Sequence, residues 1–75
     1  MLKSIEEIFR MVFENEELNI DRNTCADDIE EWDSMHHIVL LSMVEEKFGV
    51  AFDIEEIISM KCVGDMMEAI ERKGA

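Results

Sequence analysis

Apolar residues recur along the chain with helical spacing and divide it into four segments. In residues 4–16 they fall at i, i+3, i+4 and i+7, the pattern of one buried helix face. Ser4 with Glu7 three positions later has the form of a capping box at the start of this segment. The positions that we expect to face the core are Ile5, Ile8, Phe9 and Val12.

A second helical segment begins at Asp33 and Ser34 and ends near Gly49. Asp and Ser are both favourable N-cap residues, and Gly commonly follows the last helical residue. The pattern therefore predicts a helix over residues 33–49. Its broad apolar stripe is predicted to consist of Met35, Ile38, Leu41 or Val39, Val44 and Phe48.

Two shorter helices are predicted over residues 53–60 and 63–73. Asp53 and Glu56 form a second capping pattern at the start of the first of these. The last helix ends before Gly74. The residues expected to be apolar and inward-facing are Ile54, Ile57 and Ile58 in the third helix, and Val63, Met66 or Met67, and Ile70 in the fourth.

A long polar connection, residues 18–33, separates the first two helices. It is rich in turn-forming and cap-forming side chains, and a short helical turn fits residues 27–31. Ile20, Ile29 and Trp32 are its expected anchors to the core. Connections this long are unusual in compact domains and are often functional. The chain is thus predicted to be one all-α domain, residues 1–75, a small four-helix bundle with a long first loop and a short third helix.

The charge of the chain restricts its partners. It has 75 residues, 19 of them acidic and 7 basic, for a net charge of −12. Nucleic acids and anionic membrane surfaces attract clustered Lys and Arg, so we expect neither as a partner. The hydrophobic fraction of 48% argues against a disordered acidic tail. We expect a folded monomer that binds proteins with basic patches.

The cysteine content and the absence of export signals indicate the compartment. Cys25 and Cys62 do not form a C-x-x-C pair and are too few for a disulfide framework. The N-terminal residues lack the apolar stretch of a signal peptide, and the longest apolar run, residues 38–41, is far too short to span a bilayer. We expect a cytoplasmic protein with reduced thiols.

Three kinds of site common in acidic helical proteins do not fit the spacing. A calcium loop starting at Asp21 would place Ala26 where glycine is required and Trp32 where a bidentate glutamate is required. The di-iron pattern Glu-x-x-His does not occur. Ser34 and His37 are one helical turn apart, but a hydrolase would also need an orienting acid and an oxyanion hole. We therefore predict neither a resident metal nor catalytic residues.

Two features stay open on the residues alone. Ser34 at the start of the second helix is either an N-cap or a modified side chain, since a phosphate ester is stabilised at a helix N-terminus. The methionines either fill the core or make an interior that can admit a flexible guest, and both can hold together. Those at helical spacings are Met11, Met43, Met60, Met66 and Met67.

Three motifs in order resemble the acyl carrier protein family. The first is Trp-Asp-Ser-Met at residues 32–35, where the family has Asp-Ser-Leu at the head of its second helix. The second is Val-Glu-Glu-Lys-Phe-Gly-Val at residues 44–50, and the third is Cys-Val-Gly-Asp-Met at residues 62–66. The resemblance covers nearly the whole chain, and the length of the first loop agrees with it.

This resemblance implies that Ser34 receives 4′-phosphopantetheine from coenzyme A. A separate phosphopantetheinyl transferase would attach it with magnesium, which Asp33 would help to hold during transfer. The arm would then carry acyl groups as thioesters between acyl-activating or acyl-transferring enzymes. The protein would be a carrier and not an enzyme. With Met1 directly before the first helix, we expect a free-standing carrier.

The chain departs from the fatty-acid carriers at the first turns of the second helix. Those positions are usually acidic, but here they are His36, His37 and Val39. The sequence Trp-Asp-Ser-x-x-His resembles specialised carriers of secondary-metabolite or surface-polysaccharide pathways. His37 is interpreted as a contact to the arm's phosphate or to a partner, or as a solvated histidine. The expected partner-docking residues are Met35, His37, Val39, Glu45, Glu46, Glu55 and Glu56.

Two alternatives to an acyl carrier stay open. An aminoacyl or peptidyl carrier has the same architecture, and the residues around Ser34 do not exclude it. A non-carrier adaptor could use the acidic surface to bind basic partners without modification. Cys62 replaces the family's threonine at a cap position, which should slightly weaken the start of the fourth helix.

Overall fold

The computed structural model describes residues 1–74 and has four α-helices. One turn of 3-10 helix, Ala26–Asp28, interrupts the long connection between the first two helices. It overlaps the predicted helical turn, residues 27–31, and begins one residue earlier. Within the described residues no strand forms, so the predicted all-α bundle with a long first loop and a short third helix is confirmed. The helices are α1 (Leu2–Val12), α2 (Ser34–Phe48), α3 (Ile54–Ser59) and α4 (Val63–Arg72).

Helix α1 begins and ends earlier than the periodicity predicted. Its N-cap is Met1, whose carbonyl accepts from the N–H of Ile5 at 3.1 Å. Ser4 therefore lies inside the first turn, and the capping box predicted there is wrong. Glu14 has a left-handed backbone with φ of +51°, which ends the helix well before residue 16.

The buried side chains form one cluster to which all the helices except α3 contribute. The long connection is fixed to this cluster by Ile20, Ile29 and Trp32, as predicted. Trp32 packs edge-on against Phe9 of α1, with ring centroids 5.2 Å apart. The core consists of Ile5, Ile8, Phe9, Phe13, Ile20, Ile29, Trp32, Leu40, Leu41, Val44, Phe52, Met60, Val63, Met66, Met67, Ala69 and Ile70.

The buried stripe of α2 differs from the predicted one. Leu40, Leu41 and Val44 are buried, whereas Met35 and Ile38 are 77% and 53% exposed. The prediction failed because a polar residue occupies the inward position nearest the helix N-terminus. Residue 37 lies one turn before Leu40 and Leu41, so a histidine continues the inward face there.

Helix α3 also presents apolar side chains outward. Its capping box is as predicted: the Asp53 carboxylate accepts from the Glu56 N–H, and the Glu56 carboxylate accepts from the Asp53 N–H. Ile57 is half-buried, but Ile54 and Ile58 are exposed, so the inward apolar face predicted for this helix is wrong. With six residues, α3 is too short to bury a full stripe.

Helix α4 follows its prediction most closely. Met66 and Met67 are both buried, although only one of them was required. Met60 is buried as well, and Met43 packs against the core. Met11 is 60% exposed, which corrects its placement in the core. Of the methionines at helical spacings, Met43, Met60, Met66 and Met67 therefore fill the core as expected.

The two cysteines are joined, which contradicts the expectation of reduced thiols. Cys25 and Cys62 form a disulfide across 37 positions of sequence. The pairing follows from the backbone: Ala26 N–H donates to the Lys61 carbonyl at 2.9 Å, and Val63 N–H donates to the Thr24 carbonyl at 2.8 Å. This short antiparallel contact places the long connection beside the start of α4. The spacing of the two cysteines along the sequence could not reveal this pairing.

The N-terminus of α4 is capped without a hydroxyl. The Asp65 carboxylate accepts from the backbone N–H groups of Lys61 and Cys62, each at 3.1 Å. The side chain of Asp65 thus satisfies two backbone donors just before the first turn of α4. None of the helices described is long and apolar enough to cross a membrane.

Candidate functional site

Ser34 lies at the first position of α2, at the end of the long connection. Its N-cap is Asp33, whose carboxylate Oδ1 accepts from the His36 N–H at 2.9 Å. Because Asp33 performs the capping, the Ser34 side chain is exposed, and its hydroxyl has no hydrogen-bond partner among residues 1–74. The structure therefore decides which of the two adjacent cap-forming residues caps the helix.

Asp33 is held as a carboxylate beside this hydroxyl. The backbone N–H of His36, followed by its ring Nδ1 at 2.8 Å, lowers the pKa of Asp33 from its ordinary value. The His36 ring stacks on Phe13, with centroids 5.4 Å apart, which fixes its orientation. Both contacts use Oδ1, so Oδ2 of Asp33 carries no partner within the part of the chain that the structure describes.

His37 connects three parts of the fold through its ring. The indole N–H of Trp32, at the end of the long connection, donates to His37 Nδ1 at 2.9 Å. His37 Nε2 lies 2.6 Å from the carbonyl of Ile57 in α3. A carbonyl can only accept and an indole N–H can only donate, so these two contacts make Nδ1 the acceptor and Nε2 the donor. Neither nitrogen is available to Ser34, which removes a Ser–His pair.

A groove of about 470 Å³ opens beside Ser34, between the start of α2 and α3. Its volume is within the range of small-molecule sites, about 300–1,000 Å³. Asp33, Ser34 and His37 contribute polar groups to its lining. The apolar side chains that line it are Ala26, Trp32, Ile38, Ile54, Ile57, Ile58 and Met60, and Lys61 completes the wall.

The exposed apolar side chains of α2 and α3 are concentrated around this groove. Ile38, Ile54 and Ile58 line it and are also more than half exposed to solvent. Met35 and Val39, four residues apart, share a face of α2 directly after Ser34. Large apolar groups exposed together around one opening are typical of a surface that binds a ligand or a partner.

Metal chemistry by the chain itself finds no support in the geometry. In residues 1–74, no three His, Cys, Asp or Glu side chains lie close enough together to hold a metal ion. Asp33, next to Ser34, has one carboxylate oxygen, Oδ2, without a hydrogen-bond partner among residues 1–74. Such an oxygen can contribute one ligand to a metal that a partner also holds.

Comparison with known proteins gives the family. The sequence matches no protein-family model and none of the curated proteins. Among solved structures, it is similar to the solution NMR structure of a holo acyl carrier protein from Geobacter metallireducens. The two chains are 33% identical, with a TM-score of 0.85, and the match covers 96% of this chain and 83% of the other.

The chain belongs to the acyl carrier protein family. Acyl carrier proteins are carriers and not enzymes, so the chain has a carrier role. This agrees with a site that has one exposed hydroxyl and no group positioned to activate it.

The acidic residues predicted to dock partners differ in whether their carboxylates are exposed or already bonded within the chain. Glu46 and Glu55 are exposed, whereas Glu45 accepts from the N–H of Phe52 at 2.7 Å and so holds the connection before α3. Glu56 belongs to the α3 capping box and lies 3.1 Å from Lys73 Nζ. The Asp53 N–H and then Lys73 lower the pKa of Glu56. Docking by these residues stays a prediction.

Sequence reasoning missed the residues that shape the carrier's groove. Trp32 was expected only to anchor the loop, yet it also binds His37 and lines the groove. Ile57 contributes a backbone carbonyl, which no side-chain pattern could indicate. Ile38 and Ile54 were expected to be inward-facing, but they border the groove. The signal available in the sequence was the apolar character of α3 despite its short length.

Proposed function

We propose that this carrier holds acyl groups as thioesters on a 4′-phosphopantetheine arm attached to Ser34 and passes them between partner enzymes. The observation that carries the proposal is the free hydroxyl of Ser34. Asp33 caps α2, which leaves Ser34 exposed at the helix N-terminus and at the mouth of an apolar groove. The similar structure from Geobacter metallireducens is of a holo carrier, which supports the same kind of modification here.

The residues around Ser34 fit such an arm. A phosphate ester on Ser34 would lie at the N-terminus of a 15-residue helix, where free N–H groups and the helix dipole stabilise negative charge. The adjoining groove is apolar and of small-molecule size. When attached, the arm supplies the thiol on which an acyl group is carried.

Asp33 is suited to the attachment reaction. Its lowered pKa keeps the carboxylate ionised at neutral pH, and Oδ2 is free to contribute one ligand to the magnesium used by a phosphopantetheinyl transferase. In that reaction the Ser34 oxygen would form the new phosphoester, and the adenosine bisphosphate of coenzyme A would leave. His36 keeps Asp33 oriented through two contacts to Oδ1.

The composition of the groove favours acyl over aminoacyl cargo. Its walls include four isoleucines and a methionine, and Lys61 is the only cationic side chain among them. An alkyl chain gains free energy from burial against such walls. An aminoacyl group would bring an ammonium that needs a carboxylate partner, and Asp33 is the sole carboxylate in the lining.

Partner docking is proposed to combine an apolar centre with charge. Met35 and Val39 are exposed beside Ser34, and Glu46 and Glu55 are exposed farther along α2 and on α3. The net charge of −12 would steer enzymes that carry basic patches. The first turns of α2, where His36, His37 and Val39 stand in place of the usual acids, support a specialised pathway over general fatty-acid synthesis. Dependence on coenzyme A favours the cytoplasm.

Incubation of the apo-protein with coenzyme A, magnesium and a promiscuous phosphopantetheinyl transferase tests this function. Intact-mass spectrometry should record the gain of one phosphopantetheine per chain. Ser34→Ala should abolish the gain, because it removes the only proposed acceptor. Ser42→Ala is the matched control, since Ser42 is another exposed serine of α2.

The control variant should load as the wild type does. Absence of a mass gain in the wild-type chain, or a gain that survives Ser34→Ala, contradicts the proposed function. Loading that fails equally in both serine variants would point to a damaged helix instead of a lost acceptor. Circular dichroism of each variant separates that case.

A further inference from the structure

The ring of His37 makes a connection that the carrier role does not require. It lies on the inward side of α2 with both nitrogens hydrogen-bonded inside the chain, to Trp32 and to Ile57. These two partners lie on opposite sides of it, in the long connection and in α3. All three residues also line the groove beside Ser34.

The bond to Ile57 is important because α3 has few other attachments, chiefly the half-buried Ile57 side chain and the ion pair between Glu56 and Lys73. This helix has six residues, and none of them is buried. The last carbonyls of any helix lack partners within it, and Ile57 lies in the last turn of α3. Its carbonyl also accepts from Met60 N–H at 3.3 Å, which is a longer contact than the 2.6 Å to His37 Nε2.

The bond to Trp32 fixes which His37 nitrogen is free to donate. Because the indole N–H donates to Nδ1, the imidazole proton must lie on Nε2, where it faces the Ile57 carbonyl. The two rings stack at 5.9 Å with an interplanar angle of 27°. Trp32 is itself buried against Phe9, so the chain of contacts extends from the core to α3.

We propose that His37 is a positioning residue that fixes α3 at the edge of the groove and so sets how well the groove shields an acyl group. This rests on the proposed function for its acyl cargo, but the positioning of α3 belongs to the apo-protein. The connection runs from Trp32 through the imidazole ring to the Ile57 carbonyl. Loss of its α3 bond should let α3 move and expose the groove to water.

Two substitutions of His37 test its hydrogen bonds to Trp32 and to Ile57 separately. An asparagine amide lies near the position of Nδ1, so His37→Asn can accept from Trp32 but does not reach Ile57. A glutamine amide extends to the position of Nε2, so His37→Gln can still donate to the Ile57 carbonyl. Ser42→Asn introduces the same amide at an exposed position of α2 and serves as the control.

Nuclear magnetic resonance of the apo-protein tests the positioning directly. The single tryptophan gives one indole N–H signal. We expect a nitrogen–nitrogen coupling from Trp32 Nε1 to His37 Nδ1 across the hydrogen bond. Hydrogen exchange of α3 amides should accelerate about 2- to 10-fold in His37→Asn, the effect of losing one hydrogen bond, and should stay near wild type in His37→Gln.

A loaded carrier tests the shielding. Hydrolysis of an octanoyl thioester should accelerate by a similar factor of about 2 to 10 in His37→Asn, with His37→Gln and Ser42→Asn near wild type. An acetyl thioester is too short to be shielded in the groove, so its hydrolysis should be the same in all four proteins. A uniform rise for both thioesters would contradict a groove-specific effect.

Other results overturn the proposal. A His37 ring whose proton is on Nδ1, or α3 exchange that is equal in His37→Asn and wild type, removes the positioning role. If His37→Asn does not fold, Trp32→Phe replaces it: loss of the donor should disorder the ring and accelerate α3 exchange, and unchanged exchange contradicts the proposal. Failure of Ser34 to load contradicts the proposed function alone, because the apo-protein measurements still decide the role of His37.

Discussion

At the scale of single residues, two neighbours have different roles at the start of α2: Asp33 caps the helix, and Ser34 keeps its hydroxyl free. Asp33 and Ser34 are both good N-caps, so the sequence could predict the start of α2 but not which residue caps it. The answer depends on where the first helical residue falls, and that is Ser34. Its hydroxyl is free because the carboxylate of Asp33 accepts the N–H of His36.

The ionised state of Asp33 gives a prediction on pH. Its pKa is lowered in the folded chain, so its contribution to stability is present at neutral pH and is lost as the pH falls through the lowered pKa. Asp33→Asn keeps an acceptor but removes the charge. Thermal unfolding should therefore place its Tm below that of wild type at neutral pH, and the difference should narrow in acid.

Asp27→Asn provides the control for this comparison. Asp27 is an exposed carboxylate in the same connection that accepts none of the hydrogen bonds found in residues 1–74. Its substitution should leave the Tm close to wild type at both pH values. A gap between Asp33→Asn and wild type that stays constant from neutral to acid pH would contradict the account of Asp33.

At the scale of elements, the residues that begin and end helices were easier to predict than the side chains that face the core. Asp53 with Glu56, and Gly49 with φ of +65°, end or begin helices where their sequence patterns indicated. The inward face of α2 was harder, because His37 is polar and was not counted as part of the stripe. The apolar side chains that the pattern did count border the groove instead.

Local sequence patterns could not predict the disulfide, since its two cysteines are 37 positions apart. It depends on the way the long connection pairs with the backbone before α4, through Ala26 and Val63. These backbone hydrogen bonds do not need the disulfide, so the same contact should form with reduced thiols. The covalent bond adds stability by restricting the unfolded chain.

Reduction should therefore destabilise the protein without changing its fold. For a loop closed over 37 positions, the free energy of unfolding should fall by roughly 2–4 kcal/mol. Guanidinium unfolding with and without a reductant measures the loss, and circular dichroism checks that the helices persist. The double variant Cys25→Ser, Cys62→Ser should be insensitive to reductant.

Wild-type protein whose unfolding is the same in both conditions would show that the thiols are not paired. Rapid alkylation of lysates, followed by mass spectrometry, then reports the state in the cell.

At the scale of the whole molecule, a strongly acidic chain has an apolar groove beside Ser34. The chain carries −12, yet Met35, directly after Ser34, and Val39, one turn farther along α2, are exposed apolar side chains. Charge at a distance accelerates encounter, and apolar contacts at close range hold the complex. The total charge could be predicted from composition, but the apolar opening required the orientation of α2 and α3.

The acidic charge and the exposed apolar side chains should affect partner binding independently. Met35→Ala should weaken binding of a cognate enzyme about tenfold at any salt concentration, because it removes an exposed apolar contact. Met11→Ala, an exposed methionine on α1, is the matched control and should bind as wild type does. Calorimetry at low and high ionic strength should record weaker binding in salt for all three proteins.

Equal affinity at low and high salt would contradict steering by the acidic surface. A loss in Met11→Ala as large as that in Met35→Ala would contradict a docking surface beside Ser34. Each result concerns a different part of the molecule, so one can fail while the other holds.

The central claim is that Ser34 bears the group through which the chain acts as a carrier. Protein isolated from its native cells, digested and fragmented in a mass spectrometer, tests this directly. We predict a phosphopantetheine on the peptide that contains Ser34, with an acyl group on part of the population. An unmodified Ser34 in protein from actively growing cells, or the group on another residue, would contradict it.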